Sequence, residues 1–168
     1  ERNVHQGDYS SCSNLIYSAP TSGGKTLVSE ILMLRRLGLR KGTILFVVPF
    51  IALAEEKLSY FQDVWQDMNI GIRAYHTDEA APGDNKTIRD DVDVAVCTIE
   101  RANILRTQLL DEKRDDQLSM VVIDEIHMLS DSNRGFLLEV LLTKIKYLLK
   151  DTVQVVGMSA TLPNIADL

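Results

Sequence analysis

Three short stretches hold residues whose types and spacing suit chemistry. The first is Ala19-Pro20-Thr21-Ser22-Gly23-Gly24-Lys25-Thr26, between an apolar run and a helical pattern. Small residues let backbone N–H groups curl around phosphate oxygens, and a helix N-terminus adds its positive end. A lysine so placed reaches the β- and γ-phosphates of a nucleotide such as ATP, and the next hydroxyl, Thr26, can bind Mg²⁺. This is the phosphate-binding loop pattern with Ala19 in place of its first glycine. The competing reading is a glycine-rich turn that happens to precede Lys-Thr. The strand–loop–helix context favours the phosphate site.

The second stretch, Asp124-Glu125-Ile126-His127, follows the apolar run Met120–Ile123. Acids at the end of a buried strand are costly unless they have a task. Asp124 can hold Mg²⁺, and Glu125 can orient and deprotonate an attacking water. Solvated acids at a strand end are the alternative, and the phosphate loop in the same chain weighs against it. The third stretch is Ser159-Ala160-Thr161, after the run Val153–Met158. Its hydroxyls can bond to His127 or Asp124 across neighbouring strand ends. Taken alone, it reads as a Ser/Thr turn.

Elements must exist to bring these stretches together. Asn14–Ser18, Thr43–Val48, Gly71–Tyr75, Val92–Cys97, Met120–Ile123 and Val153–Met158 read as strands. Unbroken apolar runs such as Thr43–Val48 mark strands buried on both faces. Thr26–Leu39, with Leu27, Ile31, Leu34 and Leu37 at helical spacing, reads as a helix, as do Ile51–Met68, Glu100–Lys113 and Phe136–Leu149. Thr77–Lys86 is the clearest loop, with Pro82-Gly83 at its centre. Alternating strands and helices predict an α/β fold, a three-layer parallel sheet with helices on both faces. Ligands of such sheets sit at the carboxyl ends of the strands, where all three stretches fall.

Composition narrows the class. The 168 residues are 45% hydrophobic and 25% charged, as in ordinary folded domains. No apolar run is long enough to span a membrane, and no secretory signal is visible. Cys12 and Cys97 are too few for a disulfide framework, and Cys97 reads as a small core residue. A reducing compartment, cytosol or nucleus, fits. The three histidines, His5, His76 and His127, show no metal-ligand spacing with the cysteines. A net charge of −6 argues against a polybasic nucleic-acid binder but not against grip along a narrow track.

The stretches A-P-T-S-G-G-K-T, D-E-I-H and S-A-T, in that order, resemble motifs I, II and III of superfamily 2 helicases, in the Ski-type or DExH branch. Flanking residues in N-L-I-Y-S-A-P-T-S-G-G-K-T-L-V-S-E-I-L, V-A-V-C-T-I-E-R-A-N, V-V-I-D-E-I-H-M-L-S-D-S-N-R-G and V-V-G-M-S-A-T-L-P-N are similar to polymerase theta-type helicase domains, then to HelQ/Hel308-type repair helicases. The resemblance implies a motor of two RecA-like lobes with ATP between them and a single strand across the top. Residues 14–168 correspond to the first RecA-like lobe, and residues 1–13 are unassigned. The second lobe, which supplies the arginine fingers, is the expected partner, and these 168 residues alone are expected to bind Mg-nucleotide but hardly turn it over. The family's adenine-reading glutamine has no counterpart here, since Gln6 lies too close to Lys25.

The resemblance also carries over nucleic-acid contacts. Pro49-Phe50-Ile51-Ala52-Leu53-Ala54 matches motif Ia, with Pro49 and Ala52 as contacts. Thr98-Ile99-Glu100-Arg101 matches motif Ib, with Thr98 and Arg101. Both lie where a strand turns into a helix, so N–H groups can face a phosphate. A solvated first turn is the alternative for Glu100-Arg101. Arg134 has two readings, a structural ion pair or a strand contact. Tyr75-His76-Thr77-Asp78 replaces a glycine-containing patch that motors of this group carry, so no strand contact is assigned there. The implied function is an ATP-dependent DNA helicase or translocase of double-strand break repair, in the nucleus, acting on single-stranded DNA. RNA work of the Ski type, or a nucleotide-binding scaffold without hydrolysis, are the alternatives.

Overall fold

The structure, a computed structural model, describes residues 13–20, 24–39, 42–75, 87–132, 134–149 and 152–160. The loop Thr77–Lys86, His76, Cys12 and most of the unassigned N-terminal segment lie outside these residues. So do Thr21, Ser22 and Gly23 of the first stretch and Thr161 of the third.

Six strands form one parallel sheet: β1 (Leu15–Ser18), β2 (Thr43–Val48), β3 (Ile72–Tyr75), β4 (Val94–Thr98), β5 (Leu118–Asp124) and β6 (Gln154–Ser159). Their order across the sheet is β1-β6-β5-β2-β4-β3, and every pairing is parallel. Four helices cover the two faces: α1 (Lys25–Leu39), α2 (Ile51–Val64), α3 (Ile99–Asp111) and α4 (Gly135–Leu149). This is the three-layer arrangement that the alternating runs predict.

The central strands are buried along their whole length, so successive side chains feed two separate cores. Leu45, Val47, Ala95, Cys97, Val121 and Ile123 face Leu105, Leu109, Leu138 and Leu141 of α3 and α4. Ile44, Phe46, Val48, Val96, Met120 and Val122 face Met33, Ala54, Phe61 and Trp65 beside α1 and α2. Cys97 is a core residue as expected, and burial pushes its thiol up to about 12. No described helix is long and apolar enough to cross a membrane.

Two helices differ from their sequence patterns. The stripe expected to bury α1 is only half right: Leu27 and Ile31 are each 57% exposed, while Leu34 and Leu37 pack against the core. The inward face of the first turns instead carries Lys25, Ser29 and Glu30. The start of α1 borders the polar site, so chemistry rather than burial sets its orientation there. Helix α2 stops at Val64, short of Met68, and residues 65–69 form turns. Trp65 tucks into the core, stacked 4.9 Å from the Phe61 ring, and Asn69 takes a positive φ of 51° to lead the chain into β3.

At Gly135 a close backbone approach dictates glycine. A Cβ on Gly135 would lie 2.2 Å from the Leu129 carbonyl oxygen and 2.9 Å from its carbon, both backbone. Gly135→Ala therefore forces the 3-10 turn Ile126–Ser130, which carries His127, away from α4. We expect a loss of about 1–3 kcal/mol of stability, read as a lower thermal unfolding midpoint. An unchanged midpoint would show that this turn yields freely.

Candidate nucleotide site and adjoining nucleic-acid face

Parallel strands carry their carboxyl ends to one edge of the sheet, and sheet register places the chemical residues there. Ser18 stands opposite Ser159, and Asp124 opposite Met158. The Ala19 N–H donates to the Ser159 carbonyl (3.1 Å), which ties the exit of β1 to the exit of β6. Gly24, with φ of +70° and open space around its missing Cβ, makes the turn into α1. Ala19 and Pro20 lead towards it.

Lys25 opens α1 and is 7% exposed. Its ammonium donates to Glu125 Oε1 at 2.6 Å and lies 3.8 Å from Asp124 Oδ1. The Tyr17 hydroxyl donates to the Lys25 carbonyl (2.6 Å), which pins the helix start against β1. Burial raises the Asp124 carboxyl above its ordinary range, even though the Lys57 and Lys25 ammonium groups oppose the rise. The Glu125 N–H donates to Asp124 Oδ1 at 3.0 Å. Glu125 itself takes φ 57°, ψ 50°, the left-handed region, which costs a residue with a Cβ roughly 1–2 kcal/mol. That turn swings its carboxylate back over the end of β5 to Lys25. Strain of this kind gathers at functional sites.

His127 Nδ1 lies 2.9 Å from Ser159 Oγ and 3.1 Å from Glu125 Oε2. The second approach is off the hydrogen-bonding direction, so Oε2 is a buried acceptor without a hydrogen bond. That oxygen is closed off from solvent, with the His127 ring against it. Ser159 therefore does reach His127, as its position after β6 suggested.

Thr26 Oγ1 accepts from Lys57 Nζ at 3.3 Å, and Lys57 Nζ lies 3.9 Å from Asp124 Oδ2. The hydroxyl of Thr26 and the carboxylate of Asp124 are hard oxygen donors gathered around one positive charge, and that fits Mg²⁺. Among the described residues no three His, Cys, Asp or Glu side chains form a metal cluster. Mg²⁺ in phosphate sites is held in this sparse way, by one or two protein oxygens plus the substrate.

Sequence reasoning missed Lys57. Its one signal was a lysine on the face of α2 that also carries Ala54, Leu58 and Phe61. Tyr60, one turn further on, donates to Glu30 of α1 at 2.9 Å and was missed as well.

The two predicted nucleic-acid segments meet beside this site. A cleft of about 430 Å³ is lined by Pro49, Phe50, Ile51, Thr98, Arg101 and Arg134, among others. Phe50 and Ile51 are half exposed, and Ala52 is exposed. Thr98 caps α3 by accepting from the Arg101 N–H at 3.4 Å. Thr98 and Arg101 are themselves buried. At this face Phe50, Ile51 and Ala52 reach solvent, together with Glu100, Ile104 and, in part, Arg134. Arg134 makes the structural contacts of the first reading: it donates to the Pro49 carbonyl, lies 3.5 Å from Glu100 Oε1 and stacks 4.8 Å from the centre of the Phe50 ring. One guanidinium thus joins the segments after β2, β4 and β5.

Comparison with known proteins agrees with this geometry. Residues 5–168 match the family described as DEAD/DEAH box helicase. Over 166 residues the chain is 46% identical to mouse DNA polymerase theta, covering 90% of this chain and 6% of that protein. It is 41% identical to the human helicase POLQ-like, covering 92% and 14%. It is 34% identical to the ATP-dependent DNA helicase Hel308 of Methanococcus vannielii, covering 96% and 21%. The chain therefore spans a small part of the relatives it matches. The crystal structure of the DUF1998 helicase MrfA shares the fold, with a TM-score of 0.74 at 20% identity over 92% of this chain and 25% of that one.

Proposed function

This chain belongs to the DEAD/DEAH box helicase family, and from that premise we propose that it is the first RecA-like lobe of an ATP-driven DNA helicase or translocase. Residues 14–168 make up the lobe, and a second lobe completes the ATP site. The observation that carries the proposal is the convergence of Lys25, Thr26, Asp124 and Glu125 at one sheet edge, with Lys25 Nζ 2.6 Å from Glu125 Oε1. An ammonium at a helix N-terminus, an oxygen pair for a cation and a carboxylate beside them are the parts that phosphoryl transfer to water needs.

Each residue has a role that follows from its place. Lys25 and Glu125 neutralise each other as an ion pair. A triphosphate offers Lys25 a stronger anionic partner, which releases Glu125. The freed carboxylate orients a water and takes its proton. Thr26 and Asp124 would hold Mg²⁺, which would supply positive charge to offset that of the phosphates. His127, with Ser159, senses the position of Glu125 and joins β5 to β6. The motif match assigns Thr21, Ser22 and Gly23 to phosphate binding and Thr161 to coupling with Ser159, all four lying outside the described residues.

A single strand lies over the cleft beside Phe50. Pro49, Ala52, Thr98 and Arg101 define the helix starts that face its phosphates, so binding is independent of sequence and falls with salt. The relatives favour DNA, because they carry the names DNA polymerase theta and ATP-dependent DNA helicase. A nuclear role in double-strand break repair is part of the proposal and rests on the resemblance of the flanking residues to polymerase theta-type helicase domains.

The test is steady-state ATP hydrolysis by the full-length protein with no nucleic acid, with single-stranded DNA and with single-stranded RNA. Stimulation by DNA well above RNA is expected. Stimulation by RNA alone would redirect the proposal to the RNA-acting branch. No stimulation by either would leave a nucleotide-binding scaffold.

A further inference from the structure

We propose that Lys57 is a positioning residue of the nucleotide site, an internal cation that holds Thr26 and Asp124 together until a divalent cation takes its place. The inference rests on the reading of this site as one for Mg-nucleotide. Lys57 lies well inside α2, and its side chain is only 14% exposed. A lysine seldom sits so deep unless it is paired. Its ammonium donates to Thr26 Oγ1 at 3.3 Å and lies 3.9 Å from Asp124 Oδ2. These are the two groups whose oxygens would hold the metal.

Packing fixes the stretch of α2 that carries the lysine, while its stem stays free to move. Ala54 and Phe61, on the same face of α2, are fully buried against the sheet. Tyr60 donates to Glu30 at 2.9 Å. Helices α1 and α2 are thus linked at two successive levels, Thr26 to Lys57 and then Glu30 to Tyr60. The second link keeps Lys57 aimed at the site when the first one opens.

The electrostatics explain why a placeholder is useful. Asp124 is buried, and burial disfavours its charged form. Lys25 is engaged mainly by Glu125, at 2.6 Å against 3.8 Å to Asp124. Lys57 supplies the second positive charge. It holds the Thr26 hydroxyl and the Asp124 carboxylate together. A divalent ion offers the same two oxygens more charge, and the flexible lysine stem can swing aside. The two cations repel and want the same oxygens, so they compete.

The test is a Mn²⁺ titration of the nucleotide-free, full-length protein, with bound metal read from the loss of the free-ion electron paramagnetic resonance signal. Lys57→Met keeps the volume and removes the charge. It should bind Mn²⁺ about tenfold more tightly than the wild type, the effect of removing one like charge at this range. Lys57→Arg keeps the charge and should match the wild type. A purely structural lysine would instead make Lys57→Met bind metal more weakly or lose its fold, seen as a lower unfolding midpoint than that of Lys57→Arg. Equal Mn²⁺ binding by all three proteins, its absence included, also overturns the proposal. Mg-nucleotide binding by the wild type is measured in parallel. If it is intact, only the role of Lys57 falls; if it is missing, the reading of the site falls too.

Discussion

Lys25→Ala should abolish Mg-nucleotide binding in the measurable range, a loss of at least about 100-fold in affinity. Hydrogen bonds between charged partners contribute about 1.5–3 kcal/mol each, and a lysine at the β- and γ-phosphates makes more than one. The loss goes beyond those bonds. Lys25 stands between phosphate and two acids, Glu125 at 2.6 Å and Asp124 at 3.8 Å. Without it, the Glu125 carboxylate loses its partner and faces the triphosphate as a like charge. Fluorescent-nucleotide titration reads the change, and circular dichroism checks that the fold survives. An affinity within threefold of the wild type would mean that nucleotide does not bind at the start of α1.

Glu125→Gln should separate binding from hydrolysis. Glutamine keeps the length of the side chain but cannot take a proton from water. Loss of a positioned general base lowers the rate by about 10²–10⁴-fold. Binding should hold or tighten, because the Lys25–Glu125 ion pair no longer has to break before phosphate arrives. The unusual backbone at φ 57° is independent of charge, so the side chain should stay in place. The paired measurements are kcat in the full-length protein and the equilibrium Kd for Mg-nucleotide. A parallel fall in both would make Glu125 a structural partner of Lys25 and leave the water without its base.

Much of this site was legible in the sequence because apolar continuity locates buried parallel strands, and strand ends locate ligands. Thr43–Val48 was placed to the residue for that reason. The acids after Met120–Ile123 were found because carboxylates at a buried strand end need a reason to be there. Boundaries moved where a side chain serves two elements: Thr98 ends β4 and caps α3, so the helix begins at Ile99 and not Glu100. Periodicity misjudged Leu27 and Ile31, because it assumes that the apolar face of a helix always turns inward. In α1 the inward face was taken by Lys25, Ser29 and Glu30. Lys57 was invisible for a related reason. Which direction a lysine points depends on where its helix lies against the sheet, and no local pattern records that. Arg134 could not be assigned before folding brought Pro49, Phe50 and Glu100 around it.

The most direct test of the account is the structure of the full-length protein with a non-hydrolysable ATP analogue and Mn²⁺ in place of Mg²⁺. The account expects Lys25 Nζ to leave Glu125 Oε1 for the phosphates and the anomalous signal of the metal to lie beside Thr26 and Asp124. A nucleotide bound elsewhere, or a Lys25–Glu125 pair still closed with phosphate out of reach, would contradict it.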